Sequence, residues 1–232
     1  MTPPRSVQPE ILDHLVESDL RAIRSRTDLR RINRIMGARS IMLRALRNIA
    51  IPQRVIELGA GDGTLMLGLA EKLAHRWPRV HLTLLDRQNL VASATADAFQ
   101  RLGWQVEILN ADVLDWTRQA ASERYDLVTA NLFFHHFNNA HLELLLSAAA
   151  ERSSAVFACE PRRGRLALAG SHLVRLIGAS AVTREDAVLS VRAGFSGNEL
   201  TALWPPGRSG WHLRERRAGL FSHCFLALRR NT

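Results

Sequence analysis

Cysteine is scarce in this chain. Only two of its 232 residues carry a thiol, Cys159 and Cys224. That number and spacing give neither a zinc-ligand pattern nor a disulfide framework. Both lie in apolar runs and read as buried core thiols, which suits a reducing, cytoplasmic setting. No metal site is expected. Long apolar runs are missing too. A membrane-spanning helix needs roughly 20 apolar residues, and the longest candidate, 166–177, is broken by Ser171, His172 and Arg175. The polar, proline-bearing stretch Met1 to Glu10 lacks the apolar centre of a signal peptide. Repeats and low-complexity segments are absent as well.

What is present is a hydrophobic fraction of 47%, enough for a packed core, and a formal charge of +9. The length suits one domain with an extra segment. The positive charge comes from arginine; Lys72 is the single lysine. Such a balance has two readings. It can mark an anionic partner, nucleic acid or a membrane surface. It can also be a compositional bias of GC-rich coding, which says nothing of partners. The arginines are scattered, with no interleaved aromatic platform on which bases could stack. Nucleic acid is therefore disfavoured, and peripheral membrane contact stays open.

Residues 9–48 carry apolar positions near helical spacing: Ile11, Leu12, Leu15, Leu20 and Ile23, then Leu29, Ile32, Ile35 and Met36, then Ile41, Leu43 and Leu46. Two or three helices are expected, with Ser18–Asp19 and Thr27–Asp28 as start signals. The pattern changes at Ile51. Strands are predicted at 54–58, 80–85, 105–109, 125–131 and 155–159, with helices at 64–76, 90–102 and 139–151 between them. This alternation argues for a parallel sheet covered by helices on both faces. Residues 162–207 break the rhythm with helical patterns at 166–177, 184–193 and 197–203. The end of the chain, 211–217 and 221–228 around Ala218-Gly219, reads as an antiparallel hairpin. The expected organisation is an N-terminal helical cap over residues 1–50 and an α/β domain over 51–232, with a helical insertion at about 162–207.

The stretch Val55-Ile56-Glu57-Leu58-Gly59-Ala60-Gly61-Asp62-Gly63-Thr64 combines a strand, a glycine turn and a helix start. Glycine permits the unusual dihedrals of such a turn and the close approach of a cofactor. A nicotinamide fingerprint places glycines at positions one, three and six. Here they fall at one, three and five, behind an acidic residue. The second strand ends at Asp86, and the third is followed by Asn110-Ala111-Asp112-Val113. Together these motifs resemble the class I S-adenosylmethionine-dependent methyltransferases, over roughly Ile51 to Pro161 and, by pattern, the terminal hairpin. The resemblance implies a Rossmann-like, doubly wound seven-stranded sheet. It also implies cofactor contacts from Glu57 near the methionine portion and from Gly59, Ala60, Gly61 and Gly63 in the loop. Asp86 would bind ribose, Arg87 would flank the adenine, Asp112 and Val113 would hold its edge, and Asn131 would sit near the transferring methyl.

The acceptor side rests on Asn131-Leu132-Phe133-Phe134-His135-His136-Phe137. Histidine titrates near neutral pH and suits proton removal from an acceptor. The small-molecule members of the resembled group, of the ubiquinone- and polyketide-modifying type, often carry such a pair. His135 and His136 are therefore the catalytic candidates; the alternative is that they cap the next helix or pack beneath the cofactor. Phe133 and Phe134, with Glu160 and Arg162 at the end of the fifth strand, are expected to contact substrate. Phe137, Leu173, Leu176, Ile177 and Phe195 are expected to add to a greasy pocket. Asn33 reads as a surface position, with the cofactor carboxylate as the alternative. The reading is methyl transfer to a small phenolic or polyketide-like acceptor, by O-methylation, in a monomer or homodimer. The rivals are an RNA methyltransferase, a non-catalytic S-adenosylmethionine-binding module and a nicotinamide enzyme. The first rival is disfavoured because the proline of the Asn-Leu-Pro-aromatic turn is missing at Phe133.

Overall fold

The structure, a computed structural model, describes residues 3–119, 123–207 and 210–230. Seven strands form one sheet: β1 (Arg54–Leu58), β2 (His81–Asp86), β3 (Gln105–Asn110), β4 (Tyr125–Asn131), β5 (Ser153–Pro161), β6 (Trp211–Ala218) and β7 (Ser222–Arg229). Their order is β3-β2-β1-β4-β5-β7-β6. Strands β1 to β5 run parallel, and β7 inserts antiparallel between β5 and β6. The expected alternation and terminal hairpin are both present. The chain steps outward from β1 to β3, then returns to β4 on the other side of β1. This reversal opens a crevice beyond the carboxyl ends of β1 and β4, where ligands of such sheets bind.

Buried strand residues alternate between two cores, as the period of two requires. Ile56, Leu58, Val128 and Ala130 face a core closed by α5 (Val113–Arg118) and α6 (Asn139–Arg152). Val55, Leu82, Leu84 and Leu127 face the other, closed by α2 (Ala38–Ala45), α3 (Thr64–Leu73) and α4 (Ser93–Arg101). Cys159 and Cys224 are buried opposite each other on β5 and β7.

Ahead of the sheet lies α1 (Leu20–Met36), capped by Asp19, whose side chain accepts from the Arg21 amide, and ended by Gly37 at φ +69°. The Ser18–Asp19 start signal therefore operates. Thr27–Asp28 does not start a helix; both lie inside α1. Asp28 instead points inward and accepts hydrogen bonds from the Ser180 amide (2.8 Å) and the Thr183 hydroxyl (3.0 Å). These bonds dock α1 on α8 (Ala181–Ala193). Residues 162–207 hold α7 (Arg165–Leu173), a 3₁₀ turn at Val174–Ile177, α8 and α9 (Glu199–Ala202). Helix α7 lies close on the β6–β7 turn. A Cβ at Gly170 would come within 2.7 Å of the Phe221 ring. Among the described residues, no helix is long and apolar enough to cross a membrane.

Asp28→Ala would leave the half-buried Ser180 amide without its acceptor and the buried Thr183 hydroxyl with only Ser25 and Ser180 as partners. The expected loss is about 2 kcal/mol, or roughly 4–8 °C in Tm for a chain of this size. Thermal unfolding by circular dichroism measures it, and an unchanged Tm would remove Asp28 from the α1–α8 junction.

Candidate functional site

The loop after β1 is left-handed at Gly59, Gly61 and Gly63, with φ of +68°, +56° and +71°. L side chains avoid these dihedrals. The amides of Gly59 and Ala60 donate to the Leu85 carbonyl (2.9 and 3.0 Å), which pins the loop to β2. A Cβ on Gly59 would stand 2.1 Å from the Phe133 ring, so only glycine fits there. Asp86 accepts from the Gly61 amide on one oxygen (2.8 Å) and the Gln88 amide on the other (2.9 Å). A carboxylate offers about four lone-pair sites, so it keeps capacity for two hydroxyl groups. Asp112 caps α5 by accepting from the Leu114 amide (2.8 Å). Val113 then holds the first helical position, where an amide has no partner within the helix.

Glu57 is the next-to-last residue of β1, and Asn131 ends the neighbouring β4. Glu57 is buried; that burial, with the charges of Asp62 and Asp86, pushes its pKa up to about 8. Among the described residues its Oε2 has no hydrogen-bond partner, and neither has the buried Oδ1 of Asn131. Two orphaned acceptors beside the crevice suit a ligand that brings donors, above all an ammonium group. The amide nitrogen of Asn131 donates to Asn33 Oδ1 on α1 (3.2 Å), so Asn33 faces the crevice rather than solvent. Arg87 is exposed and pairs with Asp13 (3.7 Å).

Beyond β4 the backbone turns sharply at Leu132, a non-glycine residue at φ +51°. Such strain persists only where the surroundings enforce it. Glu160, at the end of β5, supplies that enforcement. It is fully buried, and its carboxylate accepts from the amides of Phe133 (3.1 Å), Phe134 (2.9 Å) and His135 (3.3 Å). The same carboxylate contacts His135 Nδ1 at 2.9 Å, and Glu10 contacts His135 Nε2 at 3.3 Å. Burial opposes a charge on His135, but the two carboxylates outweigh it and push its pKa up to about 9. Glu10 shows the reverse balance. Burial would raise it, but His135, His136 and Ser190 hold it below the usual carboxylate range. His136 is less enclosed, and its Nδ1 lies 3.2 Å from Asp13 Oδ2. Donor atoms of Glu10, His135 and His136 lie within 4.8 Å of one another. Both His135 nitrogens are already engaged by carboxylates, so this cluster is explained by its hydrogen bonds.

A cavity of about 360 Å³ opens beside the two histidines. Helix α1 lines it with Ser25, Leu29, Ile32, Ile35 and Met36, and α7 and its 3₁₀ turn add Ala167, Leu173, Val174 and Ile177. Glu10, Asp13, His135, His136 and Asp186 form its ionisable lining, beside Ser25, Ser171, Thr183 and Ser190; among the described residues it contains no arginine and no lysine. The N-terminal segment closes one side. Arg5 donates to the carbonyls of His135, Phe137 and Ala193, and Ile11 and Leu12 donate their amides to Asp186.

Several residues expected to contact substrate lie away from this cavity. Phe134 is fully buried core, and Glu160 braces the turn from beneath. Phe133 packs on the glycine loop, and Arg162 bridges to Phe195 in the backbone; neither lines the cavity. Phe195 is buried under the Arg5 guanidinium, and Leu176 points to solvent. Leu173 and Ile177 do line the cavity. Sequence reasoning missed Glu10, Asp13 and Asp186 as polar wall. It saw the spacing of Leu29, Ile32 and Met36 as helical, but had no signal for where that face points.

Residues 55–172, just over half of the chain, match the family described as a methyltransferase domain. A tRNA1(Val) (adenine(37)-N6)-methyltransferase of Cronobacter sakazakii is 28% identical over 186 residues, 78% of this chain and 66% of that protein. A malonyl-[acyl-carrier protein] O-methyltransferase of a Paenibacillus species is 32% identical over 98 residues, 42% of this chain and 34% of that protein. The chain thus spans less than two thirds of either relative. The plantazolicin methyltransferase BpumL in complex with SAH has a similar fold, with a TM-score of 0.66 at 14% identity and 92% of each chain covered.

A group whose folded pKa is raised stabilises the fold below its unfolded pKa and loses that contribution as pH rises through the folded value. For His135 the contribution is complete below about 6.5 and declines toward pH 9 and above. Histidine-resolved NMR titration is expected to show one imidazolium that persists through pH 8. Thermal stability is expected to fall from pH 7 to 9.5 more steeply in the wild type than in His135→Gln, in which the raised Glu57 still contributes a decline near pH 8. Titration of every histidine near 6.5 would refute the buried cation.

Proposed function

The chain belongs to the methyltransferase domain family, and from that premise we propose that it transfers a methyl group from S-adenosylmethionine to the oxygen of a small apolar acceptor, phenolic or polyketide-like. One observation carries this reading: an aspartate-held histidine, His136, lies on the wall of an apolar cavity just beyond the strand end that bears Asn131.

The site's residues fit the donor. Glu57 and Asn131 offer buried acceptors to its ammonium group, and that cation restores the charged form of Glu57. Gly59, Ala60, Gly61 and Gly63 give the loop its open backbone. Asp86 accepts from the ribose hydroxyls, Arg87 flanks the adenine, and Asp112 with the Val113 amide holds the adenine edge. When bound, the donor supplies an electrophilic methyl on a sulfonium centre, so the chain's own task is to align and deprotonate the acceptor. Residues 1–50 act as the cap that closes the site, and the insertion at about 162–207 completes the acceptor wall.

The two histidines divide the work. His135 is already protonated at neutral pH and cannot accept another proton; it is a positioning residue that ties Glu10 to Glu160. His136 turns Nδ1 to Asp13, which leaves Nε2 for the acceptor hydroxyl. Burial would raise Asp13, but His136 and Arg87 hold it below its ordinary range, so it stays a carboxylate and orients the ring.

The cavity also speaks to acceptor charge. Its volume is within the range of small-molecule sites, and three carboxylates with no arginine or lysine disfavour an anionic acceptor. The tRNA-modifying relative supports a second reading, methylation of an RNA base. The enclosed apolar wall weighs against it.

S-adenosylhomocysteine is expected to raise Tm by several degrees through mass action. Radiolabelled methyl transfer to neutral phenols is expected, with transfer to tRNA absent. His136→Ala should lower kcat by roughly 10²–10⁴-fold and leave homocysteine-product affinity unchanged. No thermal shift would sink the methyltransferase reading; full turnover by His136→Ala would move the base elsewhere; labelled tRNA would favour the second reading.

A further inference from the structure

The cavity has a rim of unusual character. Ile35 on α1 and Leu173 on α7 both line it, yet both are more than half exposed. They therefore stand at its mouth, with one side toward the cavity and one toward solvent. From Leu173 an exposed apolar stripe continues along α7 and its 3₁₀ turn. Leu166 is 67% exposed and Leu176 is 73% exposed. With the exposed Ala169 the spacing is three, four, three, a single helical face. The stripe runs about 15 Å along the helix. The opposite face of α7 carries Ala167, Gly170 and Ser171 into the cavity. So α7 is apolar on both sides, and solvent meets one of them.

Along the chain, the charge next to this stripe has one sign. No aspartate or glutamate occurs between Glu160 and Glu185, while arginine occurs five times, exposed at Arg165, Arg175 and Arg184. None occurs between Asp28 and Glu57 either, a stretch that contains the mouth-forming end of α1. Arg165 and Arg175 flank the leucines and are exposed, as is Arg34 beside Ile35. An amphipathic face of leucines edged by arginines is the pattern of segments that lie in the headgroup layer of anionic bilayers.

We propose that the α7 stripe and the end of α1 dock on an anionic lipid surface, so that a lipophilic acceptor passes from the bilayer through the Ile35–Leu173 mouth into the cavity. The proposal rests on reading that cavity as the acceptor site. It accounts for the contrast between a basic, leucine-studded rim and a lining free of arginine and lysine. Docking inserts the leucines to headgroup depth and leaves the chain outside the hydrocarbon core.

Vesicle co-sedimentation tests it with full-length protein, on phosphatidylcholine vesicles with and without 30% phosphatidylglycerol. Binding is expected only with the anionic lipid and is expected to weaken in high salt. Leu166→Gln with Leu176→Gln, both outside the cavity lining, should weaken binding at least tenfold. Arg165→Gln with Arg175→Gln should weaken it roughly fivefold per arginine. S-adenosylhomocysteine affinity, measured by calorimetry, should be unchanged in both variants, which shows that they are folded. Methylation of a water-soluble phenol should be unchanged too. Equal binding by wild type and the leucine variant would overturn the proposal. So would absence of wild-type binding, or a dimer in sedimentation that the leucine variant dissolves while vesicles have no effect. Loss of homocysteine-product binding by the wild type would instead strike the methyltransferase reading itself.

Discussion

The buried carboxylate of Glu160 holds four N–H donors of one turn: three successive amides and the His135 ring. A fully buried charge is tolerable only with such complete pairing. The pairing also explains the strained Leu132. Its left-handed backbone points the amides of 133, 134 and 135 at a single acceptor, and its own amide is satisfied by the Cys159 carbonyl. The positions of the residues that matter follow from this. Phe133 is pressed onto the glycine at 59, His135 is fixed between two carboxylates, and His136 is delivered to the cavity wall. Because β5 and β4 are adjacent and in parallel register, Glu160 lies one residue past the partner of Asn131. The sheet itself thus sets the distance between the brace and the turn.

Charge is sorted sharply across this molecule. Arginines crowd the outside, yet the cavity proposed for the acceptor is lined by Glu10, Asp13 and Asp186, with only histidine as cation among the described residues. Asp186 shows what that means locally. Burial, with the nearby Glu10 and Asp13, raises its pKa to about 6 even though two backbone amides, those of Ile11 and Leu12, favour its charged form. A cation among these groups relieves the repulsion, and an anion adds to it. The net charge of the chain is therefore a poor guide to the charge of this cavity, whose lining carries the opposite sign to the arginine-rich exterior.

The sheet, the glycine loop and the strand-end carboxylates were legible because each is written in a short contiguous stretch. Val55 to Thr64 contains its own strand, turn and helix start, and Asp86 and Asp112 follow strands of plain apolar pattern. Errors arose where function depends on contacts between distant segments. Thr27–Asp28 has the composition of a helix cap, but Asp28 is spent on Ser180 and Thr183, more than 150 residues away. Glu160 has the look of an exposed residue in a charged cluster, since Arg162 and Arg163 follow it. Its burial comes from β7 on one side and the turn on the other, and neither is visible in local sequence. The polar wall from Glu10 and Asp13 was unreadable for the same reason: a proline-bearing N-terminal stretch has no periodicity to show which way it faces.

That N-terminal stretch also joins the two halves of the site. Asp13 reaches His136 on one side and Arg87 on the other. Gln88 donates its amide to Asp86 and its side chain to the Leu15 carbonyl, and Glu17 accepts from the Asn89 amide. The loop after β2 thus holds both the carboxylate proposed for ribose and the segment that closes the cavity beside the two histidines. A few hydrogen bonds and ion pairs between residues 13–17 and 86–89 thus tie the end of β2 to the wall of the cavity, without involving the rest of the sheet.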